Sequence, residues 1–378
     1  MKVALVHDFL YQDGGAERVL EALHEIWPEA PIYTLFHNKK KISRFHNADV
    51  RESFLRFFPF SRTFYRWYLP LMPYATEKYD LSDYDVVISS ASAFAKGILT
   101  KPETLHICYC HTPTRYLWTD THEYIEDLRL NSLLKKALLP RLIHKLRLWD
   151  KMSVDRVDQF IANSRSVQQR IKKYYRRDSD IIYPPADVQK NIISKKLEPY
   201  FVTGGRIVPY KRFDLVIEVF NRLGWPLKIF GTGPELESLK KQARSNIEFL
   251  GRISEEDKNV LLSKAQAFLH PQVEDFGITP LESMACGRPV IAFGVGGASE
   301  TVIPNKTGVL FFEQTWEALL AAVMSFDSTQ FDPILIRAWA ERFDKEKFKI
   351  NMKQYVDRSF EEFQQRSNQC SLDQSYHS

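Results

Sequence analysis

The chain has 378 residues, 44% of them apolar and 26% charged, with a net charge of +5. That size suits two domains of ordinary dimensions with buried cores, and the modest charge gives no reason to expect a nucleic-acid partner. The excess is uneven: residues 1–185 hold 28 Lys and Arg against 22 Asp and Glu, and residues 186–378 hold 24 against 25.

In chain order, Val3–Val6 predicts a strand that opens the chain without a signal peptide. A Gly14-Gly15 turn and a helix over Ala16–Trp27 follow. Further strands are predicted at Val86–Ser89, Leu105–Tyr109, Gln159–Ala162 and Ile181–Tyr183. Strands alternating with helical patterns predict a parallel sheet covered on both faces. Pro184-Pro185 and the polar run to Pro199 predict a linker over 186–199, between a first domain at 1–185 and a second at 200–342.

The second half alternates more regularly. Strands are predicted at Tyr200–Thr203, Leu227–Phe230, Ile247–Leu250, Ala265–His270, Pro289–Phe293 and Gly308–Phe311. Helices are predicted at Phe213–Leu223, Glu235–Arg244, Glu255–Ala265, after Glu274, and at Thr315–Phe326. The last helical stretch is Ile334–Phe363, and the polar tail 364–378 is expected to be disordered. The expected fold class is α/β, with two doubly wound, Rossmann-like domains facing a cleft lined by the C-terminal ends of both sheets. No apolar run reaches the roughly 18 residues of a membrane span. A cytoplasmic chain is expected, one that can touch the inner face of the cell membrane.

Glu274-Asp-Phe-Gly-Ile-Thr-Pro-Leu-Glu282 joins a predicted strand to a predicted helix. Helix-start amides attract phosphate, and carboxylates accept hydrogen bonds from sugar hydroxyls. A local alternative is a capping box with Thr279 as N-cap, Pro280 at the first helical position and Glu282 as its partner. Gly204-Gly205-Arg206 and Lys211 follow the first strand of the second domain, where cations on a glycine loop can neutralise a diphosphate; a solvated basic loop is the alternative. Gly231-Thr-Gly-Pro234 reads as a turn, because Pro234 removes an amide donor. Asp83 and Asp85 flank Tyr84 just before a strand and read as strand boundary rather than metal ligands. His111 ends a strand within Tyr109-Cys-His-Thr-Pro-Thr-Arg-Tyr-Leu-Trp118, placed either as a cleft imidazole or as a packed histidine. Cys108 and Cys110 read as buried thiols of a reduced cytosol, and no metal site is expected.

Gly204-Gly205-Arg206 with Lys211, Leu250-Gly251-Arg252-Ile253, Glu274 with Glu282, Met284-Ala-Cys-Gly-Arg-Pro-Val290, and Gly296-Gly297 with Glu300 together resemble the retaining GT-B glycosyltransferases of family GT4. The Tyr109–Trp118 segment resembles bacterial polysaccharide and O-antigen mannosyltransferases. The resemblance implies a nucleotide-diphosphate sugar as donor, GDP-mannose first and a UDP-sugar second, with no cofactor. It implies a catalytic set of Glu274, Arg206, Lys211 and His111, in which Glu274 positions the sugar, Arg206 and Lys211 bind the diphosphate, and His111 faces the sugar. It assigns donor binding to Gly15, Ile253, Phe276, Gly277, Ile278, Thr279 and Glu282, the last on the ribose hydroxyls. It also implies a helix over 343–363 that returns to the first domain. Pro185-Ala186-Asp187-Val188 departs from a pattern in which glycine often stands. An epimerase or hydrolase on the same fold, or a silent nucleotide-sugar-binding assembly protein, is the rival expectation.

Residues 128–152 carry leucines at helical spacing with Lys135, Lys136, Arg141 and Lys145. Residues 54–68 interleave aromatics with arginines. Both patterns suit an anionic membrane surface, where a lipid-linked glycan acceptor would lie, and packing of the apolar faces on the first domain is the alternative.

Overall fold

Val3–Leu10 (β1) is an inner strand of a parallel sheet in the computed structural model, which describes residues 1–11, 14–61, 63–121 and 138–375, with side chains of the closing helix up to residue 366. Nearly every β1 side chain is buried, as both faces of a parallel sheet require. Around it stand β2 (Ile32–His37), β3 (Val50–Glu52), β4 (Val86–Ala91), β5 (Leu105–Cys110), β6 (Gln159–Ala162) and β7 (Asp180–Ile181), in the order β3-β2-β1-β4-β5-β6-β7. Strands β2 and β3 are additions to the sequence expectation. The first is interrupted by Thr34 and His37, and the second is only three residues long.

The chain divides into two compact units, Met1–Tyr183 with Phe348–Ser378, and Pro184–Lys347. In the first, the helix Gly15–Ile26 buries Val19, Leu20, Ala22 and Leu23, one stripe of a 3.6-residue period. The closing helix, Lys345–Ser375, lays Phe348, Met352, Tyr355 and Val356 into the same core as Leu5 and Ile107. Each such buried side chain contributes about 1.5–3 kcal/mol. The predicted stretch 334–363 is therefore two helices, Pro333–Ala340 and Lys345–Ser375, because Asp344 caps the second through the Glu346 amide at 2.9 Å. The polar run from Gln364, expected as a disordered tail, continues this helix to Ser375. It contains no Gly or Pro to stop it.

The second unit holds β8 (Phe201–Gly204), β9 (Leu227–Phe230), β10 (Ile247–Gly251), β11 (Phe268–His270), β12 (Val290–Phe293) and β13 (Gly308–Phe311), all parallel, in the order β10-β9-β8-β11-β12-β13. Residues 186–199 form no helix or strand, yet Ala186, Val188 and Asn191 are buried in this unit. Arg337 holds the Asn191 carbonyl at 2.6 Å. In both sheets the strand order reverses beside the first strand of the unit, between β1 and β4 and between β8 and β11. Ligands bind at the carboxyl ends of such switch points.

Candidate functional site

Strand β8 ends at Gly204, and Gly205 follows with φ +125. A Cβ on Gly205 would lie 3.0 Å from Lys211 Nζ, so the glycine lets that ammonium fold back over the strand end. Lys211 Nζ meets Glu274 Oε1 at 2.9 Å, beyond the end of β11. Two residues expected to serve one ligand are thus brought together by the two strands that flank the switch point. Burial pushes the Glu274 carboxyl up, but the Lys211 ammonium, His270 and hydrogen bonds from Lys211 and Gln272 outweigh burial and hold it below the usual carboxylate range. Arg206 is exposed on the same loop.

The loop from Glu274 is built on Gly296-Gly297. The Gly297 amide donates to the Glu274 carbonyl at 2.8 Å. A Cβ on Gly297 would fall 2.2 Å from the Phe276 carbonyl oxygen, so only glycine fits there. The Phe276 ring turns inward, 5.6 Å from Phe343, and leaves only its backbone to the site. Gly277, with φ +89, is the N-cap of the helix Ile278–Ala285. Thr279 is not the cap, Pro280 sits in the first turn where missing amide bonds cost little, and Glu282 makes no capping box. Ile278 and Thr279 are partly exposed on the first turn.

Glu282 is buried instead, with Oε1 at 3.0 Å from Lys258 Nζ. Lys258 lies on the helix Glu255–Lys264, one turn beyond half-buried Ile253 on the loop after β10. Asn191 fixes the same stretch by donating to the Glu282 carbonyl at 3.0 Å. Sequence reasoning passed over Lys258, since a lysine in a Glu-Glu-Asp-Lys run looks solvated. It also passed over His270, whose ring is fully buried with neither nitrogen hydrogen-bonded. Burial pushes that imidazole down to about 4. Its Nε2 lies 3.5 Å from where a Gly277 Cβ would stand.

In the first unit, His111 caps the end of β5. Its Nε2 is joined to Ser90 Oγ at 2.8 Å, Ser90 to His7 Nδ1 at 3.1 Å, and His7 Nε2 lies 3.9 Å from Glu17. Glu17 accepts the Gly14 amide at 2.9 Å, and Gly15 is the exposed first residue of its helix. Burial, then His7, pushes the His111 ring down to about 3, so it is neutral at physiological pH. Asp8 accepts the amides of Ser92, Ala93, Phe94 and Ala95 at 2.6–2.8 Å and fixes the loop after β4. Buried Lys96 and Asp150 pair at 2.5 Å, and Asp150 also accepts from Thr114 and Trp118, which holds the segment after His111 in place.

Asp85 accepts the Lys2 amide at 2.6 Å, a strand-boundary role. Cys108 and Cys110 are buried. Lys135 and Lys136 lie outside the described residues. Arg141 and Lys145 are exposed on the helix Leu139–Met152, but its apolar face of Leu139, Ile143 and Leu146 packs into the unit beside Leu35 and Phe94. Of the apolar face expected at a membrane, Leu139, Ile143 and Leu146 are therefore core, while Leu138 and Leu148 stay exposed and residues 128–137 lie outside the described residues. Among the described residues no helix is long and apolar enough to cross a membrane.

Two parallel doubly wound sheets, one in each unit, are the architecture of the GT-B fold. Comparison with known proteins agrees. The family "Glycosyltransferase Family 4" matches residues 13–190, and "Glycosyl transferases group 1" matches residues 186–341. This chain belongs to the family 4, group 1 glycosyltransferases. It is 30% identical to the D-rhamnosyltransferase WbpZ of Pseudomonas aeruginosa over 50% of this chain and 52% of that one. It is 29% identical to the O-antigen chain mannosyltransferase RfbU of Salmonella typhimurium over 45% and 52%. The match thus spans about half the length of these relatives. The structure of Anabaena HepE in complex with UDP superposes with a TM-score of 0.68 at 17% identity, over 94% of this chain and 100% of that one, a likeness of fold.

Proposed function

We propose that this chain transfers a hexose from a nucleotide-diphosphate sugar to a lipid-linked or oligosaccharide acceptor in bacterial surface polysaccharide synthesis. The observation that carries the reading is the convergence of Lys211–Glu274 and Lys258–Glu282 on the loop and helix that leave β11. GDP-mannose is the first donor and a UDP-sugar the second. The mannosyl and rhamnosyl chemistry of RfbU and WbpZ supports a deoxyhexose or hexose, and the UDP in HepE supports a uridine donor on this fold.

In this reading the second unit binds the donor. Arg206, Lys211 and the amides of the first helical turn carry the positive field for the diphosphate, and Glu274 and Glu282 accept from sugar and ribose hydroxyls. The bond from the anomeric carbon to the diphosphate oxygen breaks while the acceptor hydroxyl oxygen bonds the same carbon on the same face. The hydroxyl proton passes to the departing diphosphate oxygen. Charge grows on that diphosphate, so fixed cations lower the barrier without a metal. No nucleophile is assigned, and Glu274 orients the sugar. The first unit supplies the acceptor side, with neutral His111 at its switch point. A lipid-linked acceptor would place the enzyme at the inner face of the cell membrane.

A thermal-shift panel of nucleotide sugars tests the donor, because a ligand of the native state raises the midpoint. GDP-mannose should raise it most. Turnover should then require an acceptor and survive EDTA, and the product should keep the donor's anomeric configuration. Release of nucleotide without acceptor would point to the epimerase or hydrolase, and binding without turnover to an assembly protein.

A further inference from the structure

Glu17, His7, Ser90 and His111 form a connected line at the switch point of the first unit. His7 and Ser90 are register partners on β1 and β4, so their side chains leave the sheet on one face. Ser90 Oγ stands between two ring nitrogens, 3.1 Å from His7 Nδ1 and 2.8 Å from His111 Nε2. Ser90 is fully buried, so its hydroxyl passes a hydrogen bond rather than attacking a substrate. The His111 backbone is held on both sides: its amide donates to the Ala91 carbonyl at 2.9 Å, and its carbonyl accepts from Asn163 at 2.9 Å. The rings of Tyr109 and His7 lie 5.3 and 6.5 Å from its imidazole. With the ring clamped in this way, the position of its proton sets what it offers to a ligand.

A hydroxyl has one proton, so Ser90 accepts from one imidazole and donates to the other. With both rings neutral, two directions are open. In the first, His7 Nδ1 donates to Ser90 and Ser90 donates to His111 Nε2, and His7 then turns a bare Nε2 toward Glu17. In the second, His111 Nε2 donates to Ser90, Ser90 donates to His7 Nδ1, and His7 carries its proton on Nε2. Glu17 decides between them. Its Oε2 accepts the Gly14 amide at 2.9 Å, and its Oε1 stands 3.9 Å from His7 Nε2, with both side chains buried. That distance is too long for a full hydrogen bond, so the contact is electrostatic. A carboxylate only accepts, and in a buried site it favours an N–H facing it over a lone pair. The second direction wins.

We propose that Glu17, acting through His7 and Ser90, fixes His111 as the Nε2–H tautomer and leaves its Nδ1 as a hydrogen-bond acceptor at the carboxyl end of β5. Among the described residues that nitrogen has no hydrogen-bond partner. Glu17, His7 and Ser90 are positioning residues that act through His111. The tautomer rests on the geometry alone. Its use rests on the proposed transferase reading, in which Nδ1 accepts from a hydroxyl of a sugar substrate. Burial keeps the ring neutral, so it takes that hydrogen bond without taking the proton.

Nuclear magnetic resonance of the full chain carrying isotope-labelled histidine reads the tautomer directly, because the protonated and bare nitrogens of a neutral imidazole resonate far apart. At about pH 8, above the ordinary histidine range, His111 should show a protonated Nε2 and a bare Nδ1. Its signals are assigned by their loss in His111→Asn. Glu17→Gln keeps an oxygen for the Gly14 amide and turns a donor toward His7, so the line should reverse and the His111 proton should move to Nδ1. Ser90→Ala should leave a mixture of the two forms. Transfer from GDP-mannose to a soluble mannoside should fall roughly tenfold in kcat in Glu17→Gln, the worth of one hydrogen bond, while the rise in melting midpoint with GDP-mannose is kept. A protonated Nδ1 in wild type overturns the proposal, and that spectrum decides even if a variant does not fold. An unmoved proton in Glu17→Gln overturns the part given to Glu17. A moved proton with unchanged kcat overturns the use of Nδ1 on a sugar. Absence of transfer in wild type strikes at the transferase reading, and the spectrum still decides the tautomer.

Discussion

Lys258 reaches Glu282 at 3.0 Å with both side chains buried, so the carboxylate placed on the ribose is already half of an ion pair inside the second unit. Breaking a buried pair from one side leaves an uncompensated charge, which costs about 3–5 kcal/mol. Lys258→Met should therefore lower the urea midpoint strongly. Lys258→Met/Glu282→Leu replaces the pair with apolar groups and should recover much of that loss, since such replacements are often neutral. Glu282→Ala should cost less than Lys258→Met, because Lys258 keeps exposed Glu255 at 2.6 Å. Nucleotide binding should fall in all three. An unchanged midpoint in Lys258→Met would show that the pair adds nothing to stability.

The Lys211–Glu274 pair gives a pH test. The folded-state pKa of Glu274 lies below its ordinary value, so its contribution is present above the usual carboxylate range and is lost as pH falls through the folded value. Wild type and Glu274→Gln should differ in stability at pH 7. The difference should shrink once the pH drops below about 4. Urea unfolding at a series of pH values reads it, and a constant gap down to the acid limit would mean that the pair does not set the pKa.

Much of the second unit was written in local patterns. Phe213–Leu223, Leu227–Phe230 and Gly308–Phe311 appear with the bounds expected of them, because each is a mainly apolar or 3.6-period run between clear turn residues. Gly296-Gly297 was legible as a motif, and its reason, a close approach to Phe276, became visible only in three dimensions. Lys258 and His270 were not legible. Each acquires its role from burial beside a residue distant in sequence or across a loop, and neither charge pattern nor periodicity carries that. The apolar pattern expected over 128–152 shows the converse: Leu139, Ile143 and Leu146 within it pack on protein, and a periodic apolar face does not say whether protein or lipid covers it.

Arg206→Ala and Lys211→Ala should each lower kcat, because charge on the departing diphosphate grows toward the transition state. By comparison with single electrostatic donors in other enzymes, the loss should be roughly 10²-fold or more. Lys211→Ala should show an added loss of acceptor-independent donor affinity, since it also frees Glu274, now without the ammonium at 2.9 Å, to repel the diphosphate. An effect confined to KM would mean that these cations gather the donor without stabilising its departure.

His111 supplies the last test. Its imidazole is held near 3 in the fold against an ordinary 6.5, chiefly by burial and then by His7. The unfolded chain therefore binds a proton that the native chain refuses, and stability rises with pH across that interval. The contribution is complete above about pH 6.5 and erodes as pH falls toward the folded value, with a slope of up to about 1.4 kcal/mol per pH unit for one proton. His106 and His270, each pushed by burial to about 4, add to the same trend. His111→Asn removes one titrating group while its amide can still bond Ser90. Its stability should therefore decline less steeply than that of wild type between pH 6.5 and pH 4.5, by up to one proton's worth of slope. Because the ring stays neutral throughout this range, its replacement should leave the acid limb of the pH–rate profile where it is while lowering the plateau. Parallel stability curves for variant and wild type would show that His111 titrates as an ordinary exposed histidine, and burial with the neighbouring His7 would then not be what holds it.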